Sequence, residues 1–222
     1  MLKAARDQTV RMLVKMEERI AKCARCKEEY FCYSRPAIGR GDVEADIMVV
    51  FLCEDEYCAD RNNIINMREE IKAVAGGQVK LYHSYLVRCV RRSCYRLKGK
   101  ESLFNGRLLK KDGTCLLSGQ PCSGVIESPK DGEIMNCFYF LLEEIEILKP
   151  KVIIPVGETT CNYLFKAYGL FEPCKKGFAS VKNHLFSTSK HFFIPVEQPG
   201  ENRAFSWQDV ADSLRSALLG VQ

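Results

Sequence analysis

The sequence predicts a three-layer α/β/α fold built on a central four-stranded parallel sheet, and three observations carry that expectation. Residues 47–52 (IMVVFL) and 151–156 (KVIIPV) are nearly unbroken apolar runs of strand length, the pattern of strands covered on both faces. Segments between such runs place apolar residues three and four apart, the period of a helix with one buried face. Strands alternating with helices need crossover connections, which are right-handed and put helices on both sides of a parallel sheet.

Taken in order, residues 3–21 read as a first helix through Val10, Leu13, Val14 and Ile20, followed by the turn Cys23-Ala24-Arg25-Cys26. The strand at 47–52 leads into a helix over 61–74 through Ile64, Met67, Ile71 and Val74, closed by Gly76-Gly77. A second strand spans 81–87. Residues 90–133 lose periodicity and carry seven Gly or Pro residues between Gly99 and Pro129, so they read as an insertion or long loop within one domain over 1–222.

A helix follows from 134 to 148, with Ile134, Cys137, Phe138, Leu141, Leu142, Ile145 and Leu148 at helical spacing and Pro150 as its stop. The third strand, 151–156, turns at Gly157 into a helix over 158–168. The fourth strand is 191–196, and Ser206 with Asp209 three residues on opens a last helix through Val210, Leu214 and Leu218.

With 222 residues and 46% hydrophobic content, the chain can bury one sizeable core. It contains no apolar run long enough to span a bilayer, and its N-terminal segment is charged and helical, so a cytoplasmic monomer without membrane contact is expected. Twelve cysteines in a reducing compartment point to metal or redox roles for some of them, with Cys53, Cys58 and Cys161 also readable as ordinary buried thiols. Between residues 88 and 111 nine Lys or Arg residues, Arg88, Arg91, Arg92 and Arg96 among them, face Glu101 alone. Such a block suits the phosphates of DNA, and equally a solvated loop.

The Cys23–Cys26 spacing serves zinc or an iron-sulfur cluster once two more thiolates join it, and Cys89 and Cys137 are candidates for them. These residues resemble, in order and context, the family 4 type of uracil-DNA glycosylase. An early CxxC precedes Gly39-Arg40-Gly41; a buried strand follows; Leu86-Val87-Arg88-Cys89 ends the next strand in a basic residue and a cysteine; and Cys137 opens a helix that runs through Pro150-Lys151 into a strand ending at Gly157. The resemblance covers roughly 17–89 and 134–219. It implies a [4Fe-4S] cluster on Cys23, Cys26, Cys89 and Cys137, a structural role for that cluster in presenting Arg88, Arg91, Arg92 and Arg96 to DNA, and DNA repair as the setting. Cys94, Cys115 and Cys122 lie in the insertion and receive no role from it.

The family's active-site motifs are altered. The loop after its first strand, Gly-Glu-x-Pro-Gly, corresponds to Cys53-Glu54-Asp55-Glu56-Tyr57, which keeps the acid at Glu54 and loses both glycines and the proline. Its uracil-reading Asn corresponds to Tyr85, and the His of its His-Pro motif to Gln198. The expected base pocket is therefore Cys53, Asp55, Tyr85 and Gln198, with Glu54 positioning water. A tyrosine lacks the amide's paired donor and acceptor, and a glutamine carries no imidazolium charge. The implied activity is excision of a modified or damaged base with little release of uracil. The alternatives are a non-catalytic iron-sulfur DNA-binding module and a zinc-bound structural or interaction protein.

Overall fold

The computed structural model describes residues 2–26, 32–33, 36–89, 91–93, 114–121, 125–199 and 206–220, with the side chains of 2–3, 32–33 and 91–93 outside that description. In chain order its elements are α1 (Leu2–Ala21), β1 (Cys32–Tyr33), β2 (Arg40–Gly41), β3 (Ile47–Phe51), α2 (Glu56–Ala59), α3 (Arg61–Ala75), β4 (Leu81–Tyr85), β5 (Arg91–Ser93), β6 (Val125–Ile126), α4 (Asp131–Leu148), β7 (Val152–Pro155), α5 (Glu158–Ala167), α6 (Phe171–Lys175), α7 (Phe178–Val181), β8 (Phe186–Ser187), β9 (Phe192–Phe193) and, after a short 3₁₀ turn (Trp207–Val210), α8 (Ala211–Leu219).

The main sheet has six strands in the order β2-β4-β3-β7-β9-β8. The four middle strands pair in parallel, and the two-residue strands β2 and β8 close the edges antiparallel. The sequence expectation of four strands is thus corrected to six. Two-residue edge strands carry too little alternation to be read from sequence, yet they pair the outer β4 and β9. Every residue of β3, β4 and β7 is buried, as strands covered on both faces require.

Two cores flank the sheet. One gathers Met48, Val50, Tyr82, Leu86 and Ile153 with α1, α4 and α5; the other gathers Ile47, Val49, Phe51, Ile71 and Val152 with α3 and α8. The split follows from the period of two along each strand. The stripe that α1 buries is Leu13, Met16 and Ile20, whereas Val10 and Val14 stand 40% and 47% exposed, so the first-helix reading is right in extent and in Leu13 and Ile20 but misplaces the two valines. Helix α3 starts on Asp60, whose carboxylate accepts from the Asn62 N–H at 2.8 Å, and ends at Gly76 in the left-handed region. Helix α4 begins three residues earlier than the sequence suggests, and Glu133 satisfies the Lys130 N–H at 2.8 Å. Ser206 caps the 3₁₀ turn ahead of α8 through the Gln208 N–H.

Within 90–133, β5 and β6 pair with each other and join β1 from residues 32–33 in a small separate sheet, β1-β5-β6, and Thr114 and Pro121 form a bridge. Arg96, Cys94 and Cys122 lie outside the described residues, as do the side chains of Arg91 and Arg92. Among the described residues, no helix is long and apolar enough to cross a membrane.

Candidate active site and thiol cluster

The chain leaves β3 for β4 on one side of the sheet and later reaches β7 on the other, so the strand order reverses between β3 and β7. In open α/β sheets ligands bind beyond the C-terminal ends of the strands at such a reversal. A cavity of about 520 Å³ lies there. Leu52 after β3, Val156 and Gly157 after β7, residues 158–160 of α5, Ser128, Phe178, Glu197 and Gln198 line it.

Gly157 shapes the floor. It adopts φ 81 and ψ 162, a conformation that an L side chain rarely takes, and its N–H donates to the Val196 carbonyl at 2.8 Å. That bond and the Val156–Val196 bridge bring the segment after β9 alongside β7 and place Gln198 over Gly157. On α5 the Thr160 side chain is fully buried, and its hydroxyl has no hydrogen-bond partner among the described residues.

Gln198 does not stand alone. Its Nε2 donates to Asp55 Oδ2, while Asp55 Oδ1 accepts from the Cys58 N–H at 2.9 Å and so caps α2. One carboxylate therefore starts a helix and holds a cavity side chain. Glu197 is held from outside by Lys182, and Glu158 projects from the exposed first turn of α5.

The remaining expected pocket residues sit elsewhere. Tyr85 is a correction: it is 3% exposed and packs with Phe51 at 6.3 Å and edge-on to His83 at 5.9 Å, in the core beneath α3. Burial pushes its phenol pKa upward, with the neighbouring Cys58 and Glu54 adding to the rise. Strand alternation turns position 85 toward α3 and away from the cavity. Cys53 is buried in the opposite core, and half-buried Glu54 stands near Tyr85; neither is in the cavity wall. Cys58 and Cys161 are buried thiols whose pKa values burial raises, Cys161 to about 12. His191 is structural, its Nδ1 2.7 Å from the Pro150 carbonyl oxygen, and His184 is exposed.

Arg88 is the second correction. Expected at a DNA surface, it is 1% exposed and turned inward onto Glu144, itself fully buried. Glu144 also accepts from the Tyr82 hydroxyl at 2.8 Å and from the Ser84 hydroxyl. Burial opposes the charge on Arg88, but the Glu144 charge and hydrogen bond prevail and its pKa is raised. The sequence did signal this pair, because Glu144 falls in the apolar stripe of α4 between Leu141 and Leu148. A carboxylate at such a position needs a buried partner. Gly39 packs against the pair: a Cβ there would stand 2.5 Å from Glu144 Oε1 and 2.7 Å from the Tyr82 hydroxyl.

The same arginine joins the pair to the cysteines. The Arg88 N–H donates to Cys137 Sγ at 3.1 Å, and the next residue is Cys89. The turn holding Cys23 and Cys26 leaves the end of α1 and meets the start of α4, where Asn136 Nδ2 is 3.7 Å from Cys26 Sγ. Arg25 in that turn reaches the Asn136 carbonyl at 3.4 Å and lies 4.2 Å from the centre of the Tyr139 ring. Burial raises the Cys137 pKa; the Arg88 N–H and guanidinium lower it, and the neighbouring Cys23 and Cys26 raise it again. Among the described residues no group of three Cys, His, Asp or Glu side chains is drawn to metal-ligand spacing.

The fit of an anionic cluster can be judged from Arg88. Its Nε and Nη1 are buried without a hydrogen-bond partner among the described residues, beside the Cys137 thiol. Buried guanidinium donors are costly to leave unmade, and a thiolate-bound iron-sulfur group is an acceptor of the right sign. The donor set and this unmet donor capacity fit such a group.

An open parallel α/β protein with its cavity at the strand-order reversal is the class these features define. The model of the Uracil DNA glycosylase superfamily matches residues 60–209, more than half of the chain, and the protein belongs to that superfamily. The matched stretch includes Arg88, Cys89, Cys137, Gly157 and Gln198, and begins after Cys26, Glu54 and Asp55. No curated protein matches the chain.

Proposed function

We propose that the protein binds DNA and hydrolyses the N-glycosidic bond of a modified or damaged base, with a [4Fe-4S] cluster on Cys23, Cys26, Cys89 and Cys137 as a structural tie. The observation that carries the catalytic reading is the cavity at the ends of β3 and β7 in a chain of this superfamily. In the reaction a water oxygen bonds to C1′ as the C1′–N bond breaks. The base departs with that electron pair and gains a proton from the water. Leu52 and Phe178 give the cavity apolar surface for an extruded base, while Ser128, Thr159 and Gln198 offer polar groups to its edge. Glu158 is the acid in the cavity wall that can position water; Glu54, the acid that the resemblance assigns to water, stands outside that wall near Tyr85 and is its rival for the task.

A bound cluster would supply no step of the hydrolysis; its iron would link α1, the segment after β4 and α4 through their thiolates. Arg88 then serves that junction from inside, and phosphate contact falls to Arg91, Arg92 and Arg96. The protein is taken to work as a cytoplasmic monomer.

The test is a single-turnover panel on anaerobically purified protein, with strands containing uracil, hypoxanthine, 5-hydroxycytosine or 5-hydroxyuracil and alkali to reveal abasic sites. Cleavage of a damaged base that exceeds uracil cleavage, and that Glu54→Gln or Glu158→Gln lowers by about 10² or more without changing DNA affinity, is expected. No abasic product from any strand leaves a DNA-binding module only.

A further inference from the structure

The Asp55 carboxylate accepts at both oxygens, the Cys58 N–H at Oδ1 and the Gln198 amide at Oδ2, so the end of that amide that meets it is the NH₂. The other end is thereby fixed. Gln198 Oε1 stands over Gly157, 3.7 Å from where a Cβ would be, in the cavity that both residues line. No donor among the described residues takes this oxygen. A glutamine free to turn would offer either end to a ligand; this one is held with its acceptor forward.

We infer that Gln198, oriented by Asp55, reads a donor, so the cavity selects a base that carries an exocyclic amino group over one that presents a carbonyl in its place. The inference rests on the reading that the cavity receives an extruded base, and it names the substrate class. Uracil meets an acceptor only through N3–H, which lies between two carbonyl oxygens; with either exocyclic oxygen facing Gln198 Oε1, two acceptors are opposed. A cytosine-, adenine- or guanine-type lesion with its amino group there makes a hydrogen bond instead. Glu197 does not restore a donor, because it too presents only acceptors and is held by Lys182. Asp55 is a positioning residue in this arrangement: it acts through the amide.

The experiment compares 5-hydroxycytosine with 5-hydroxyuracil, two lesions that differ in one amino-for-carbonyl exchange, placed in the same strand as 2′-fluoroarabino nucleotides that resist cleavage. Affinity is measured for the wild type, Asp55→Asn, Gln198→Ala and Thr159→Trp. Asn still accepts at a helix N-cap, so Asp55→Asn preserves the start of α2 while letting the amide turn. Gln198→Ala removes the amide and leaves that cap untouched.

Wild-type protein should favour 5-hydroxycytosine by about tenfold or more, since a site that matches a hydrogen bond discriminates strongly against the analogue lacking it. The preference should fall below about threefold in both Asp55→Asn and Gln198→Ala. A wild-type ratio near one, or a preference that survives both substitutions, overturns the inference. Thr159→Trp fills the cavity wall and should abolish lesion-dependent binding. If it does so while the wild-type ratio is near one, only the acceptor reading fails. If lesion-dependent binding persists in Thr159→Trp, the base lies elsewhere and the cavity reading fails with it.

Discussion

Replacing Glu144 by Gln is the most direct test of how the core and the thiol cluster are joined. The carboxylate is fully buried and accepts from Tyr82, Ser84 and Arg88. Gln has nearly the same shape, and the two hydroxyls can turn to accept from its NH₂, so those bonds are largely replaceable. The charge is not. Arg88, 1% exposed, would keep its positive charge without the carboxylate that pairs with it, a situation that typically costs about 3–5 kcal/mol. For a chain of this size each kcal/mol moves Tm by roughly 2–4 °C, so a fall of about 6–20 °C is expected. The assay is anaerobic thermal melting followed by circular dichroism, with Tyr82→Phe as the comparison. That variant removes one neutral donor and should lower stability by about 1 kcal/mol. Converting both charged residues to apolar ones, Arg88→Met with Glu144→Leu, should recover most of the loss. A Glu144→Gln protein that melts within about 2 °C of the wild type would refute the reasoning, because the buried guanidinium would then be neutralised by something other than Glu144.

Three further outcomes are expected. His83 is held neutral, its pKa pushed down to about 4 by burial first and then by the Arg68 and Arg40 charges, and Arg68 Nη2 sits 3.0 Å from its Nδ1. The unfolded chain takes up that proton below about pH 6.5 and the folded chain does not. Stability should therefore fall as pH drops from about 6.5 to 4, by up to roughly 3 kcal/mol more than in His83→Gln, read from urea midpoints across that range. Anaerobically purified protein should carry about four irons per chain; Cys137→Ser should lose iron and stability together while Cys115→Ser keeps both, and stoichiometric zinc without iron would refute the cluster. Replacing Arg91, Arg92 and Arg96 with Ala should flatten the log–log salt dependence of duplex binding by up to about 2.7, and an unchanged slope would assign those residues to something other than phosphate.

The parallel strands were legible because burial on both faces leaves an unbroken apolar run, and β3, β7 and the helices α3 and α4 fall within a few residues of where periodicity puts them. The edge strands β2 and β8 were not, since two residues carry no period. Site geometry was legible only where chain order and strand ends determine it. Gln198 lies in the cavity wall because it follows a strand at its C-terminal end, whereas a match in chain order, such as that of Tyr85 to the family's Asn, says nothing of which face a strand side chain takes. Arg88 was misread for a related reason. A run of basic residues suggests one surface, but its first member still belongs to the strand exit, and Glu144, 56 residues on, draws it inward.

Each middle strand of the sheet delivers a functional segment from the same end. β3 runs out into Leu52 and then Asp55; β7 runs into Gly157 and the first turn of α5; β9 runs into Glu197 and Gln198; and β4 runs through Leu86 and Val87, whose N–H groups donate to Phe51 and Leu52 at 2.8 Å, into Arg88 and Cys89. The Leu52 carbonyl thus sits on the shared boundary, accepting from the chain that leads to the thiols while its residue lines the cavity. Parallel strands start together and end together, so a single edge receives every loop that can carry polar chemistry, and the buried strands behind it hold those loops in register. Two backbone hydrogen bonds thus join the strand exit that leads to the thiols to the strand exit that leads to the cavity. Loss of Cys137 should disturb base-dependent binding as well as iron content, whereas loss of the Lys182 side chain, which pairs with Glu197, should disturb the cavity and leave the iron in place.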